Sequence, residues 1–320
     1  MHADAKIASH YEPTSMTMSA KADSLKTVLY ALGANFAIFL SKLVAAIFTG
    51  SGAMLAEAIH SLADCGNQAL LLIGMKQAKR PATPDYPLGY GKAIFFWSFL
   101  VALMLLSVGG LFSLYEGWHK LQHPEPLKMP WLAVGVLVFG LVAESLSMRA
   151  CLLEVNKVRA GRTLYRWFRE SRQAEMVVIF GEDLAALLGL SFALIAIVLT
   201  IATGNPMFDA IGTLGIGLLL IVVAIFVARE VKAMLIGQSA EPTTRDAIQA
   251  FILARPEIKR IFSLITLQLG NDIMVAVQAE MADSNVSTAQ TLLYINAIEA
   301  DMRNNFPDVR WSFFEPDDSE

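Results

Sequence analysis

The stretch Ala56-Glu57-Ala58-Ile59-His60-Ser61-Leu62-Ala63-Asp64 sets three ionisable side chains, Glu57, His60 and Asp64, among small and apolar residues. It lies inside residues 52–75, a run long enough to cross the hydrocarbon core of a bilayer as a helix. An ionisable group at that depth costs at least about 2.5–3.5 kcal/mol on insertion scales, which indicates a functional role. His60 and Asp64 are four residues apart, so a helix places them one above the other on one face.

The composition of the whole chain also indicates a membrane protein. Of the 320 residues 55% are apolar and 17% are charged, whereas a soluble domain usually carries about 25% charged residues. These values exclude a disordered chain, a coiled coil and a disulfide-stapled secreted domain. The two cysteines, Cys65 and Cys151, lie in apolar runs and form no CxxC zinc motif. The net charge of −4 argues against a nucleic-acid partner.

A six-span transmembrane domain is predicted over residues 26–236. The spans are residues 27–49, 52–75, 94–115, 130–152, 176–203 and 207–228. Residues 1–25 are predicted to be a polar arm, since they contain neither an apolar core of signal-peptide length nor an arginine. The absence of a targeting segment favours a bacterial inner membrane.

Basic residues are concentrated in two predicted loops. Residues 76–93 and 153–175 contain ten lysines and arginines, and the opposite side has only Lys120 and Lys128. Because basic loops remain in the cytoplasm, both termini are predicted to be cytoplasmic. The arginine-rich segment 157–172 is expected to contact the head groups of anionic membrane lipid.

Residues 237–320 are predicted to form a small cytoplasmic α+β domain with the ferredoxin-like element order αββαβ. Thr243 or Thr244 can cap the first helix, and Ser287-x-x-Gln290 is a capping box for the second. In the first strand, period-2 alternation separates an apolar set from a polar set. These sets are Ile265, Leu267 and Leu269, and Thr266 and Gln268.

Two predicted helices supply candidate ligands for a divalent cation. His60 and Asp64 offer an imidazole nitrogen and a carboxylate oxygen. The fifth span adds the adjacent carboxylates of Glu182 and Asp183, with no lysine or arginine in the same helix to neutralise them. The alternative is structural: His60 bonded to Asp64, and one fifth-span carboxylate neutralised by Lys42 of the first span.

Three other charged side chains have structural interpretations. Glu144 and Arg149, both in the fourth span, are expected to form interhelical ion pairs rather than to bind a metal. Asp209 lies near the outer end of the sixth span, where an anion at a helix N-terminus is stabilising. Asp209 is therefore predicted to act as a helix cap.

The His60-x-x-x-Asp64 motif in a second span, the six spans and the α+β tail together resemble the cation diffusion facilitator family of proton-coupled metal transporters. The similarity covers nearly the whole chain after residue 25 and is strongest to the branch that contains mitochondrial zinc transporter 9. The stretches that carry it are residues 56–64, Asn67-Gln68-Ala69-Leu70, Pro124-x-Pro126, Glu182-Asp183-x-Ala185-Ala186 and Gly204-Asn205-Pro206-x-x-Asp209.

The resemblance implies a homodimeric exporter, not an enzyme, that exchanges a divalent cation for protons by alternating access. It assigns His60, Asp64 and Asp183 to the metal site. Glu182 is the candidate fourth ligand, because Ile179 stands where the family has a second histidine. Zinc is the expected cargo, and manganese or iron is the alternative if oxygen ligands dominate.

The C-terminal tail contains no histidine, since His123 is the last one in the chain. The tail is therefore expected to serve as a dimer contact and not to bind zinc tightly. Two alternatives come from other functional classes. One is a non-transporting interaction protein, and the other is an intramembrane metal-dependent hydrolase, for which the chain lacks a His-Glu-x-x-His helix.

Overall fold

Long helices form the first part of the chain, and a small sheet domain follows. The computed structural model describes residues 24–283 and 285–318, so most of the predicted polar arm, residues 1–25, lies outside the described residues. The helices of the first part are α1 Ser24–Thr49, α2 Gly52–Ala78, α3 Ala93–Met104, a π-helical segment Leu105–Leu111, α4 Phe112–Gln122, α5 Pro130–Val158, α6 Leu164–Glu170, α7 Ala174–Thr203 and α8 Met207–Gly237.

Four of these helical segments are long and apolar enough to cross a membrane by themselves. They begin at Ala93, Pro130, Ala174 and Met207. Within the described residues, α1 contributes a shorter apolar stretch, Asn35–Thr49. The prediction of a helical membrane domain is therefore confirmed.

Close helix contact through glycine fixes the π-helical segment and α4 against α8. A Cβ atom at Gly110 would lie 2.6 Å from Ile221 Cγ1, and one at Gly217 would lie 2.7 Å from the backbone nitrogen of Leu114. Small residues let helix backbones approach in this way where no hydrophobic driving force operates between spans. This packing holds the π-helical segment beside His60, whose Nδ1 lies 3.9 Å from the position of a Cβ on Gly109.

The sheet domain has the predicted order of helix, two strands, helix and strand. Its elements are α9 Pro242–Leu253, β1 Ile258–Leu269, β2 Asp272–Met281, α10 Thr288–Asn305 and β3 Val309–Pro316. β2 lies in the centre, antiparallel to β1 and parallel to β3. A parallel pair needs a crossover connection, and α10 provides it. The core between helices and sheet includes Ile248, Val275, Val277 and Ile298.

The predicted cap of α10 is confirmed, because Ser287 Oγ accepts a hydrogen bond from the backbone N–H of Gln290. The predicted cap of α9 is wrong. α9 begins at Pro242, with Glu241 at the N-cap position and no side-chain cap. Proline suits the first helical position because its missing N–H would have no partner there.

The predicted facing of β1 is also wrong in part. Ile265 is 58% exposed, whereas Thr266 and Gln268 are buried. The reason is a polar partner that the strand pattern does not reveal, the segment between α8 and α9. The Thr266 hydroxyl accepts a hydrogen bond from the Ala240 N–H, and the Gln268 N–H donates to the carbonyl of Gln238. As a result, the sheet carries two large apolar side chains that are exposed, Ile265 and Phe313.

Candidate metal centre

The polar face of α2 begins at a well-capped N-terminus. Ser51 Oγ accepts a hydrogen bond from the Met54 N–H, and Asp209 of α8 accepts from Ser51 Oγ at 2.6 Å and from the Gly52 N–H at 2.8 Å. The prediction that Asp209 caps a helix is thus correct in kind, although the helix it caps is α2 and not its own. This contact fixes the start of α2, and therefore the positions of His60 and Asp64 along the helix axis.

His60 and Asp64 lie on one face of α2, as their spacing predicts. His60 Nε2 is 3.7 Å from Asp64 Oδ2, which is too far for a hydrogen bond. His60 is fully buried, and neither of its ring nitrogens has a hydrogen-bond partner among the described residues. Leaving a buried polar atom unpartnered costs about 1–3 kcal/mol. The hydrogen bond of the structural alternative is therefore absent between these two described residues.

The carboxylates of α7 differ in their surroundings. Asp183 accepts hydrogen bonds from Ser147 Oγ of α5 at 3.2 and 3.3 Å. Glu182 is buried, and its Oε1 has no partner within the described part of the chain. Asn67 of α2 lies beside Glu182.

A cavity of about 250 Å³ between α2, α5 and α7 brings carboxylates together. Asp64, Glu182 and Asp183 line it, and so does Glu144. His60 does not reach its surface. The described residues contain no group of three or more histidine, cysteine, aspartate or glutamate side chains already close enough to hold one metal ion. Three of the four predicted ligands, Asp64, Glu182 and Asp183, therefore line one cavity, and with His60 they do not form a complete coordination shell in this conformation.

Lys42 is not a partner of the α7 carboxylates, so that part of the structural alternative is wrong. Its Nζ lies 3.1 Å from Glu57 Oε2 and donates to Ser61 Oγ at 2.8 Å, and both charged side chains are fully buried. α1 lies against α2 at Glu57, one turn before His60, so the direct contacts of Lys42 are to Glu57 and Ser61. Glu57 thereby has a structural partner that sequence spacing alone did not identify.

The predicted role of Glu144 is wrong. Arg149 is exposed, and Glu144 is buried in the cavity wall. Residues three apart lie on one helix face. Ser147 is three residues from Glu144, so the two polar residues at this spacing were a sequence signal for a polar face on α5. Both face α7, whereas Arg149 does not.

A second cavity, of about 480 Å³, adjoins the first, and Met75 and Glu175 line both. It lies between the α2–α3 loop and the sheet domain, and Lys79 and Asp272 are among its lining residues. Gly91 and Gly270 meet beside it: a Cβ atom on Gly270 would lie 2.5 Å from the Gly91 carbonyl oxygen. The second cavity thus lies next to the one that contains the buried carboxylates.

The arginine-rich segment also forms ion pairs within the chain, and its expected contact with anionic lipid stays a prediction. Arg162 pairs with Glu241 at 3.0 Å, and Arg169 pairs with Glu230 at 2.8 Å. Arg166 donates to Glu170, which lowers the pKa of that carboxyl below its ordinary value. The segment thus ties α6 to α8 and to the start of α9.

Comparison with known proteins agrees with this architecture. The family model for the cation efflux transmembrane domain matches residues 28–236. The chain is 34% identical over 247 residues to the proton-coupled zinc antiporter SLC30A9, mitochondrial, of Xenopus laevis, which is 77% of this chain and 44% of that relative. It is 31% identical to metal tolerance protein C4 of Arabidopsis thaliana, over 72% of this chain and 50% of the relative.

A bacterial relative is matched over more of its length. The cation-efflux pump FieF of Klebsiella pneumoniae is 26% identical over 284 residues, which is 85% of each chain. The chain spans less than half the length of the SLC30A9 relatives it matches. Because the family model covers about two thirds of its residues, the chain belongs to the cation efflux family, the cation diffusion facilitators.

Proposed function

We propose that this chain exports zinc from the cytoplasm in exchange for protons. The observation that carries the proposal is the cavity lined by Asp64, Glu182 and Asp183, with His60 one turn before Asp64 on α2. Buried atoms of His60, Asp64 and Glu182 have no hydrogen-bond partner within the described part of the chain. One imidazole and several carboxylates form a donor set suited to a divalent cation. The names of the SLC30A9 relatives, which are zinc antiporters coupled to protons, support zinc as the cargo and protons as the counter-ion.

The proposed topology has six spans with both termini in the cytoplasm of a bacterial cell, in the inner membrane. α1, α2, α5, α7 and α8 are five of the spans, and the continuous helix from α3 to α4 is the sixth. The ten basic residues of the loops at 76–93 and 153–175 support this orientation. In this proposal residues 237–320 are a ferredoxin-like cytoplasmic domain, residues 26–236 are the transport domain, and residues 1–25 are a polar arm.

In the proposed mechanism the described conformation is open to the cytoplasm. The two adjoining cavities give a hydrated cation access to the carboxylates from the side of the α2–α3 loop. At the other end of α2, Asp209 joins α8 to Gly52, and Lys120 donates to the Gly50 carbonyl, so that end is closed. Movement of α2 relative to α7 would then complete the shell with His60 and expose it on the far side.

Proton exchange follows from the chemistry of the ligands. A metal ion binds neutral imidazole and ionised carboxylate, so binding at His60, Asp64, Glu182 and Asp183 releases any protons they hold. On a more acidic outer face protons compete for the same atoms and displace the metal. The imidazole takes part in this exchange because it binds a metal ion only in its neutral form, so protonation of His60 would release the metal.

Manganese or iron is the second candidate cargo, favoured by one observation. The cavity is lined by carboxylates, and the single imidazole lies beyond it. Oxygen donors shift preference from zinc towards manganese and iron.

The proposed assembly is a homodimer in the membrane lipid. Ile265 and Phe313 of the sheet domain are more than half exposed, so they offer an apolar contact to a second copy. Covering such residues removes apolar area from water, which is the main favourable contribution to association.

Transport in sealed proteoliposomes tests the proposal. Wild-type protein should move zinc and drive a counterflow of protons, read by a zinc-sensitive dye and a pH dye. His60→Ala and Asp64→Asn should abolish both signals, while His119→Ala and Asp85→Asn, which alter exposed residues, should retain them. Wild-type rates in both site variants would remove these residues from the mechanism, and a wild-type protein that moves no metal would refute the function.

A further inference from the structure

We propose that Glu144 of α5 is a further ligand of the transported cation, which it captures together with Asp64 and Asp183 before His60 takes part. The inference rests on the proposed function and extends its site to a third helix. Glu144 lines the same cavity as Asp64 and Asp183, and only 8% of its surface is exposed. A buried carboxylate is costly unless it is paired, protonated or bound to a metal.

Glu144 has no direct ion-pair partner among the described residues. Among residues 24–283 and 285–318, no lysine, arginine or histidine forms an ion pair with it, and Lys42 is engaged with Glu57. Arg149, on the same helix, is exposed. The carboxylate therefore remains available to a cation that enters the cavity.

Other groups in the cavity also point to a cation. Within residues 24–283 and 285–318, Asp64 Oδ1 and Glu182 Oε1 lack hydrogen-bond partners, although both residues are more than nine-tenths buried. Both residues line the cavity, as do the carboxyl groups of Glu144, Glu175 and Asp183. With Glu175, five acidic side chains from three helices line this cavity, and they require positive charge to stay ionised together.

Ser147 of α5 orients the carboxylate of Asp183. It lies three residues after Glu144, so the two share a helix face, and its hydroxyl donates to both oxygens of Asp183 at 3.2 and 3.3 Å. That bond turns the Asp183 carboxylate towards α5, where Glu144 is. Ile179, which lines the same wall, cannot ligate a metal.

The position of His60 gives the order of binding. A cation arriving through the adjoining cavity meets the carboxylates first, since His60 is fully buried and does not line the cavity. Capture by oxygen donors alone favours manganese more than the completed site does. Glu144 therefore affects which metal is admitted, in addition to how tightly it is held.

Equilibrium binding of zinc and of manganese to the purified full-length chain, measured by titration calorimetry, tests the assignment. Glu144→Gln keeps the size and polarity of the side chain and removes its charge. It should weaken metal binding by about tenfold to a hundredfold, the loss typical for groups that support a metal site, with manganese affected more than zinc. Glu154→Gln, an exposed glutamate of α5 paired with Lys157, is the matched control and should bind both metals as the wild type does.

Wild-type affinity for both metals in Glu144→Gln would overturn the assignment, and so would an equal loss for both. If that variant does not fold, Glu144→Asp decides, because the retracted carboxylate should weaken manganese binding more than zinc binding. Wild-type affinities in Glu144→Asp would then overturn the assignment. Failure of the wild type to transport zinc in vesicles is a separate result, which contradicts the proposed function.

Discussion

Replacing Lys42 by methionine should leave a buried charge without its partner. Lys42 Nζ lies 3.1 Å from Glu57 Oε2 and 2.8 Å from Ser61 Oγ, and neither charged side chain is exposed. Removing one partner of a buried pair costs about 3–5 kcal/mol, because the other charge is left uncompensated. Methionine retains most of the lysine stem, so loss of packing adds little. We therefore expect Lys42→Met to lower the free energy of unfolding by about 3–5 kcal/mol.

The double variant Lys42→Met/Glu57→Gln tests whether the loss of stability comes from the unpaired charge. It removes both charges and should recover most of the loss, since uncharged residues of similar volume often replace a buried pair at little cost. Lys128→Met is the control at an exposed lysine and should change the free energy of unfolding by less than about 0.5 kcal/mol. Equilibrium unfolding in mixed micelles measures all three. An equal loss in the single and double variants would refute the pairing.

Asp209→Asn should lower the free energy of unfolding by about 0.5–2 kcal/mol, because it weakens the cap of α2; unchanged unfolding in the same micelle assay would contradict this. Gly270→Ala should displace the β1–β2 turn from Gly91, since the backbone φ of +73° disfavours alanine and the added Cβ would clash. Faster limited proteolysis of the α2–α3 loop checks this, and wild-type cleavage would argue against it. Lys259 holds the pKa of Glu280 below its ordinary value of 4.5. The stability that Glu280 contributes is thus present above that value and lost as pH falls through the lower folded-state pKa. An NMR titration of Lys259→Gln should show the Glu280 pKa rising, and an unmoved pKa would exclude the contact.

Local patterns predicted the elements of this protein well. The apolar runs mark the helices, and the cap at Ser287 follows from a contact within four residues of chain. The spacing of His60 and Asp64 fixes their common face, because helix geometry alone determines it. Such features depend on neighbours in sequence, which a single chain displays.

Contacts between distant segments could not be predicted in the same way. The partner of Lys42 is Glu57 and not an α7 carboxylate, because the crossing of α1 and α2 decides which acid it meets. The inward facing of Thr266 depends on its hydrogen bond to the segment before α9. Glu144 was assigned to an ion pair because its place in the cavity depends on the packing of α5 against α7. In each case the missing information was tertiary.

The central claim is that His60 and the carboxylates of α2 and α7 bind one transported metal ion. X-ray absorption of the full-length chain loaded with one equivalent of zinc tests it most directly. The spectrum should show nitrogen and oxygen ligands at about 2.0–2.2 Å, including one imidazole. His60→Ala should remove the imidazole signal, and Asp64→Asn should change the oxygen shell. A zinc spectrum that contains no imidazole, or one that His60→Ala leaves unaltered, would contradict the account.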